Sequence, residues 1–152
     1  MMMHKLFNII ILSVMFLAAI PVSASTLLDF EWQNRPLLIF APQMQDERLQ
    51  QFNEILRKQT CALDDRDMII GVIVTQGPSR LANQPISIQK AELIRQEYKI
   101  QADQFAVLLI GKDGGEKLRL YENPDLSDIF YRIDGMPMRQ AEMQASPFDC
   151  NT

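Results

Sequence analysis

The sequence predicts an α/β fold: a four-stranded mixed sheet with helices on both faces, in the order β-α-β-α-β-β-α. Three observations predict it. The continuous apolar runs PLLIFAP (residues 36–42), MIIGVIV (68–74) and FAVLLI (105–110) read as strands buried on both faces. Two segments between them repeat their apolar residues at helical spacing. After the third run, KLRLY (117–121) alternates, as a strand with one wet face does.

Residues 1–24 are set aside from that fold. Lys5 precedes an apolar run over residues 6–20, interrupted only by Asn8 and Ser13, and then come Pro21 and the small residues Ser23 and Ala24. This is the pattern of a cleaved secretory signal peptide. The run is shorter than the ~20 residues a spanning helix needs, and no cysteine follows it to carry a lipid. Cleavage after Ala24 leaves residues 25–152 as one exported domain, periplasmic or secreted, with no stable membrane span.

Within that domain, Asp46 opens the first helix, with Leu49, Phe52, Ile55 and Leu56 facing the core and Gln50, Gln51, Glu54, Arg57 and Lys58 facing water. Residues 75–85 hold Gly77, Pro78, Asn83 and Pro85 and are expected to form a long loop. Ser87 is the expected N-cap of the second helix, which turns Ala91, Ile94 and Tyr98 inward. Pro124 introduces the third helix, with Leu126, Ile129, Phe130 and Ile133 at i, i+3, i+4 and i+7. Gly135 ends it, and Pro137 suits the first position of a new short helical turn.

Gly111-Lys112-Asp113-Gly114-Gly115 invites comparison with a phosphate cradle. A P-loop needs its lysine after the last glycine and a helix to follow, so that N–H groups face the phosphates. Here the lysine precedes the paired glycines and a strand pattern follows. Residues tolerant of φ > 0 are what a tight reversal between antiparallel strands requires. The segment is expected to be a hairpin turn.

Composition removes several chemistries. The one histidine, His4, lies in the leader, which excludes Ser-His-Asp and Cys-His catalysis and imidazole-based zinc sites from the exported domain. The formal charge is −4, and loss of Lys5 makes the exported domain more acidic by a single charge. Such a surface repels nucleic acid and anionic lipid. Two cysteines remain, Cys61 and Cys150. An internal bridge between them, two free thiols and an intermolecular bridge all stay open, because spacing does not show whether two Cα atoms approach.

The order of elements is that of the thioredoxin-like layout, in which redox chemistry occupies the loop between the first strand and the first helix. Here that loop is Ala41-Pro42-Gln43-Met44-Gln45-Asp46, without cysteine, and Gln104 stands where thioredoxins carry a cis-proline. A reactive thiolate needs a helix N-terminus or a cation beside it. Cys61 instead falls near the far end of the first helix, and Cys150 lies in the tail.

RPLLIFAP (35–42), Asp65-Arg66-Asp67, LIGKDGGEKLR (109–119) and IDGMPMRQAEM (133–143) together resemble an uncharacterised bacterial family, the domain of unknown function numbered 4174. The resemblance runs from about Leu27 to Met143. It implies a thioredoxin-like fold related to peroxiredoxins, with related domains in vertebrate extracellular sushi-repeat proteins, and no established chemistry. Where the family pattern has Glu-Arg-Asp this chain has Asp65-Arg66-Asp67, a conservative departure.

Several side chains are candidates for function. Met136, Met138 and Met143 could offer soft thioethers to Cu(I) or fill gaps under a helix. Arg35 and Arg66 flank strand starts, where they either clasp carboxylates such as Asp134 or Asp67 or bind a small anion near the first helix. Arg139 and Glu142 are expected to be an exposed pair worth tenths of a kcal/mol. Residues 64–67 lack calcium-loop spacing and read as a solvated turn. No pair of carboxylates is placed recognisably for hydrolysis.

The expected function is therefore non-catalytic and needs no cofactor: binding of an envelope or extracellular protein, or of a small anion. The expected surface comprises Gln43, Met44 and Gln45 with the 136–143 segment, and Arg35, Arg66 and Arg139. The alternatives are a thiol-dependent oxidoreductase or peroxidase using Cys61 or Cys150, and metal handling by the methionines.

Overall fold

A computed structural model describes residues 26–146 and residue 150; the expected signal peptide lies outside the described residues. At the centre is β1 (Arg35–Gln43), buried from Arg35 to Ala41. Strand side chains alternate between faces. Accordingly Leu37, Ile39 and Ala41 enter one apolar cluster, while Leu38 and Phe40 enter another on the opposite side of the sheet. The first cluster is covered by α1 (Glu47–Arg57), α2 (Thr60–Asp65) and α4 (Leu126–Asp134), which contribute Leu49, Phe52, Leu56, Leu63, Ile129 and Ile133. The second is covered by α3 (Ile88–Glu97) through Ala91 and Ile94, with Tyr98 and the N-terminal Leu27 beside it.

Local chemistry sets the helix starts. The Asp46 side chain accepts from Arg48 N (3.0 Å), that of Ser87 from Lys90 N (3.1 Å) and that of Asp125 from Ser127 N (2.8 Å). Each satisfies an N–H that has no partner within its helix. Ile55 departs from expectation: burial on α1 follows Leu49, Phe52 and Leu56, and Ile55 stands 44% exposed on the flank.

The sheet has six strands among the described residues, not four, in the order β4-β3-β2-β1-β5-β6. β2 (Met68–Gln76) runs parallel to β1, while β5 (Ala106–Ile110) runs antiparallel to it on the other side. The extra strands lie where a loop was expected: β3 (Ser79–Leu81) and β4 (Gln84–Ile86) fold as a hairpin onto the edge of β2. Ala82 and Asn83 form its two-residue reversal, both with positive φ (49° and 63°). Pro85 is tolerated because β4 is the outermost strand. Three-residue strands are too short to show alternation in sequence.

β6 (Glu116–Tyr121) closes the other edge, antiparallel to β5. The glycine-rich segment is the turn between them, with Gly111 N donating to Gly115 O (2.8 Å), Gly114 N to Gly111 O (3.0 Å) and Gly114 at φ 76°. Five α-helices are described instead of three. The additions are α2, which carries Cys61, and α5 (Pro137–Ala145), a full helix where only a short turn was expected. Among the described residues no helix is long and apolar enough to cross a membrane.

Candidate functional site

Arg35 and Gln43 terminate the same strand, so eight residue steps of about 3.3 Å, roughly 26 Å, separate them. The expected binding residues divide between those two ends. Gln43 ends β1 with Met44 and Gln45 just beyond it, whereas Arg35, Arg66 and Arg139 gather at its amino end. The structure does not join the two groups into one surface.

At the amino end a network of four cations and four carboxylates ties separate elements together. Arg35 is only 1% exposed. Its Nη1 and Nη2 both donate to Glu142 of α5 at 3.0 Å, and Nη1 also donates to Arg66 O at 2.9 Å. Lys112 reaches from the hairpin turn to Asp67 (2.7 Å) and Glu142 (2.8 Å). Arg66 grips Asp134 through Nε (3.0 Å) and Nη2 (2.6 Å), and its guanidinium lies 4.2 Å from the Phe130 ring centroid. Arg139 donates to Asp65 O (2.7 Å) and the Asp65 carboxylate, with a longer contact to Asp134 (3.4 Å).

Two expectations are corrected here. Residues 64–67 are only in part a solvated turn: Asp64 and Asp67 are exposed, whereas Asp65 and Arg66 are half-buried, and all but Asp64 are drawn into the network. Nor is Arg139–Glu142 an exposed pair: Arg139 is 4% exposed and Glu142 is its most distant partner at 3.9 Å. Burial works against the charge of Glu142, yet hydrogen bonds from Arg35 and Lys112 outweigh it and hold the carboxyl below the usual range. Each arginine is already engaged by carboxylate, so this end offers an incoming anion little. Its chemistry is that of a clasp, joining the start of β1, the α2–β2 turn, the β5–β6 hairpin and the α4–α5 corner.

At the carboxyl end, the loop that would carry redox chemistry carries a salt-bridged helix cap. Arg48 donates to Asp46 through Nε (3.0 Å) and Nη2 (2.7 Å) and to Glu122 through Nη1 (3.2 Å), and its guanidinium sits 4.9 Å from the Phe105 ring centroid. The hydrogen bond from Arg48 pulls the Asp46 carboxyl below its ordinary value. Gln43 and Gln45 are exposed and Met44 is half-buried. Met44 packs against Gly77, where a Cβ would stand 3.7 Å from Met44 Cγ.

Both cysteine sulfurs are elsewhere. Cys61, on α2 beyond the far end of α1, is joined to Cys150, with Cα atoms 5.8 Å apart across a sequence separation of 89. An eleven-residue helix of about 16 Å therefore stands between Cys61 and the β1–α1 loop. The methionines do not converge either. Met136 packs against the core, Met138 is exposed, and five helical steps turn Met143 about 140° from Met138.

Sequence reasoning missed Arg95. It stands on α3 four residues after Ala91, on the buried side of the helix, and is 4% exposed. Nη1 donates to Gln101 O (3.1 Å), and Nη2 donates to Ile73 O (3.1 Å) and Ala41 O (3.4 Å). An arginine at i+4 from an apolar stripe residue was the available signal.

A parallel β1–β2 pair, an antiparallel β5–β6 hairpin and helices on both faces define a thioredoxin-like fold. A reduced 2-Cys peroxiredoxin of Plasmodium vivax shares it, with a TM-score of 0.56 at 16% identity over 74% of this chain and 83% of that one. The chain belongs to the domain-of-unknown-function family DUF4174, whose model matches residues 26–142. Human sushi repeat-containing protein SRPX2 is 31% identical over 125 residues, 80% of this chain and 27% of that protein. The Xenopus laevis SRPX2 is 28% identical over 137 residues, covering 85% and 30%. Coiled-coil domain-containing protein 80 of Danio rerio is 28% identical over 131 residues, covering 75% and 15%. The chain thus spans less than a third of the length of these relatives.

Proposed function

We propose that this chain is an exported, non-catalytic thioredoxin-like domain that acts by binding an envelope or extracellular protein. The observation that carries the reading is the content of the β1–α1 end: an aspartate cap neutralised by Arg48 occupies the position where a redox relative needs an activated thiol. The cysteines support it too, since Cys61 is bonded to Cys150 at a distance from that loop. Export rests on the leader pattern in residues 1–24.

A face suited to a protein partner lies beside β6. A groove of about 840 Å³ has Leu118, Leu120 and Met136 along its floor and Tyr131, 85% exposed, on its rim. β6 is the outermost strand on that side, and an outer strand can accept an added strand from a partner. A photo-crosslinking residue at position 131 in the living envelope is expected to capture a protein that the same residue at position 93, on α3, does not. The competing reading is thiol chemistry by Cys61 or Cys150. Turnover of peroxide or disulfide by the purified chain, lost in Cys61→Ser, would replace the proposal.

A further inference from the structure

Arg95 brings a positive charge into the interior between the carboxyl ends of β1 and β2. Arg35 and Arg139, the other buried arginines described, face carboxylates, but all three acceptors of Arg95 are neutral carbonyls. No ion pair involving Arg95 occurs among the described residues; its further support is the Phe40 ring, whose centroid is 5.6 Å from the guanidinium carbon. A buried charge without a counter-charge is costly, and burial lowers the affinity of Arg95 for its proton against the opposing field of Glu92. Of the five N–H donors of a guanidinium, three are engaged here. Nε finds no acceptor, yet it is not sealed off as Arg35 Nε is.

The opening beside it is a cavity of about 90 Å³ whose lining includes Arg95, Val74, Thr75, Gly77, Ile86 and Ile88. That is room for several waters or one small organic acid. Ile88 is exposed at its mouth, and Glu92, also exposed, adds a negative charge there. The attraction of Arg95 and the repulsion of Glu92 both grow with ligand charge, so selection falls to shape and polarity. The aliphatic wall offers contact only to a ligand with an apolar end.

We propose that this cavity binds a short-chain monocarboxylate, its carboxylate on Arg95 and its alkyl end against Ile86 and Ile88. The ligand supplies the counter-charge that the fold withholds from this arginine alone among its buried ones. The inference rests on the reading of the chain as a binder rather than a catalyst, and it names a ligand class for that reading.

The test is titration of the chain, purified from residue 25 onward, with sodium butyrate at constant ionic strength, followed by amide NMR shifts. Saturable shifts at Thr75, Gly77 and Ala91 in the millimolar range are expected, with sodium phosphate and sulfate at least tenfold weaker. Arg95→Met should weaken binding at least tenfold. Because that variant can lose folding, Ile86→Trp, which fills the cavity and leaves Arg95 in place, should do the same with an unchanged far-UV spectrum. Non-saturable shifts, phosphate binding as tight as butyrate, or full binding by Ile86→Trp would overturn the site. Such a failure leaves the non-catalytic reading intact, whereas peroxide or disulfide turnover removes that reading whether or not butyrate binds.

Discussion

Glu142→Gln keeps the volume of the side chain and removes the charge that faces Arg35. Both Arg35 Nη atoms lie 3.0 Å from the Glu142 oxygens, and the guanidinium is 1% exposed, so water cannot replace the lost partner. Breaking a fully buried pair from one side costs about 3–5 kcal/mol. Two features reduce that figure: the Glu142 side chain is 25% exposed, and Asp67 stays 4.0 Å from Arg35 as a residual counter-charge. The expected loss is therefore about 2–3 kcal/mol. At roughly 3–4 °C per kcal/mol for a chain of this size, Tm should fall by about 10 °C.

Urea and thermal unfolding by circular dichroism, with the disulfide intact, measure this loss. Arg35→Met supplies the control, because it removes the buried charge and leaves Glu142 paired with Lys112. Adding it to Glu142→Gln should recover about 1–3 kcal/mol relative to the sum of the single losses. A Glu142→Gln loss below about 0.5 kcal/mol, or strict additivity, would refute the account of the clasp.

Acid should act on the same contacts. A carboxyl whose folded pKa lies below its unfolded value contributes stability above the unfolded value and loses it as the pH falls through the folded one. Glu142 and Asp46, lowered from 4.5 and 3.8, place that loss below about pH 4.5. Tm should therefore be level from pH 6 to 7 and drop below pH 4.5, less steeply in Glu142→Gln. Cys61→Ser and Cys150→Ser should lower the denaturation free energy equally, by about 2–4 kcal/mol, given the sequence separation of 89. Unequal losses would show that the two thiols act separately. Gly71→Ala puts a Cβ 2.7 Å from Leu38 Cδ2 and 3.0 Å from Leu81 Cδ1, both on buried leucines, and should cost about 1–3 kcal/mol. A neutral result in urea would mean that β2 and β3 separate more easily than their packing implies.

The long apolar strands were legible because a strand buried on both faces leaves a continuous hydrophobic run. The helices α1, α3 and α4 were legible because their caps and inward residues repeat at fixed local spacing. The hairpin β3–β4 was not, since its three-residue strands lie among Gly77, Pro78, Asn83 and Pro85, which equally suit a loop. At the candidate site, the lack of cysteine in the β1–α1 loop was readable directly. Arg95 was hidden because its helix position was visible and its want of a carboxylate was not.

Composition and periodicity alone determined the α/β class, the hairpin turn at residues 111–115 and the confinement of histidine to His4, for each depends on residue identity or near-neighbour spacing. Tertiary structure decided the pairing. Arg35 meets Glu142 across 107 positions, Arg139 meets Asp65 across 74, and Cys61 meets Cys150 across 89. Coulomb attraction, desolvation and disulfide geometry depend on separation in space, and only the folded sheet brings these residues together while holding Arg35 and Gln43 at opposite ends of one strand.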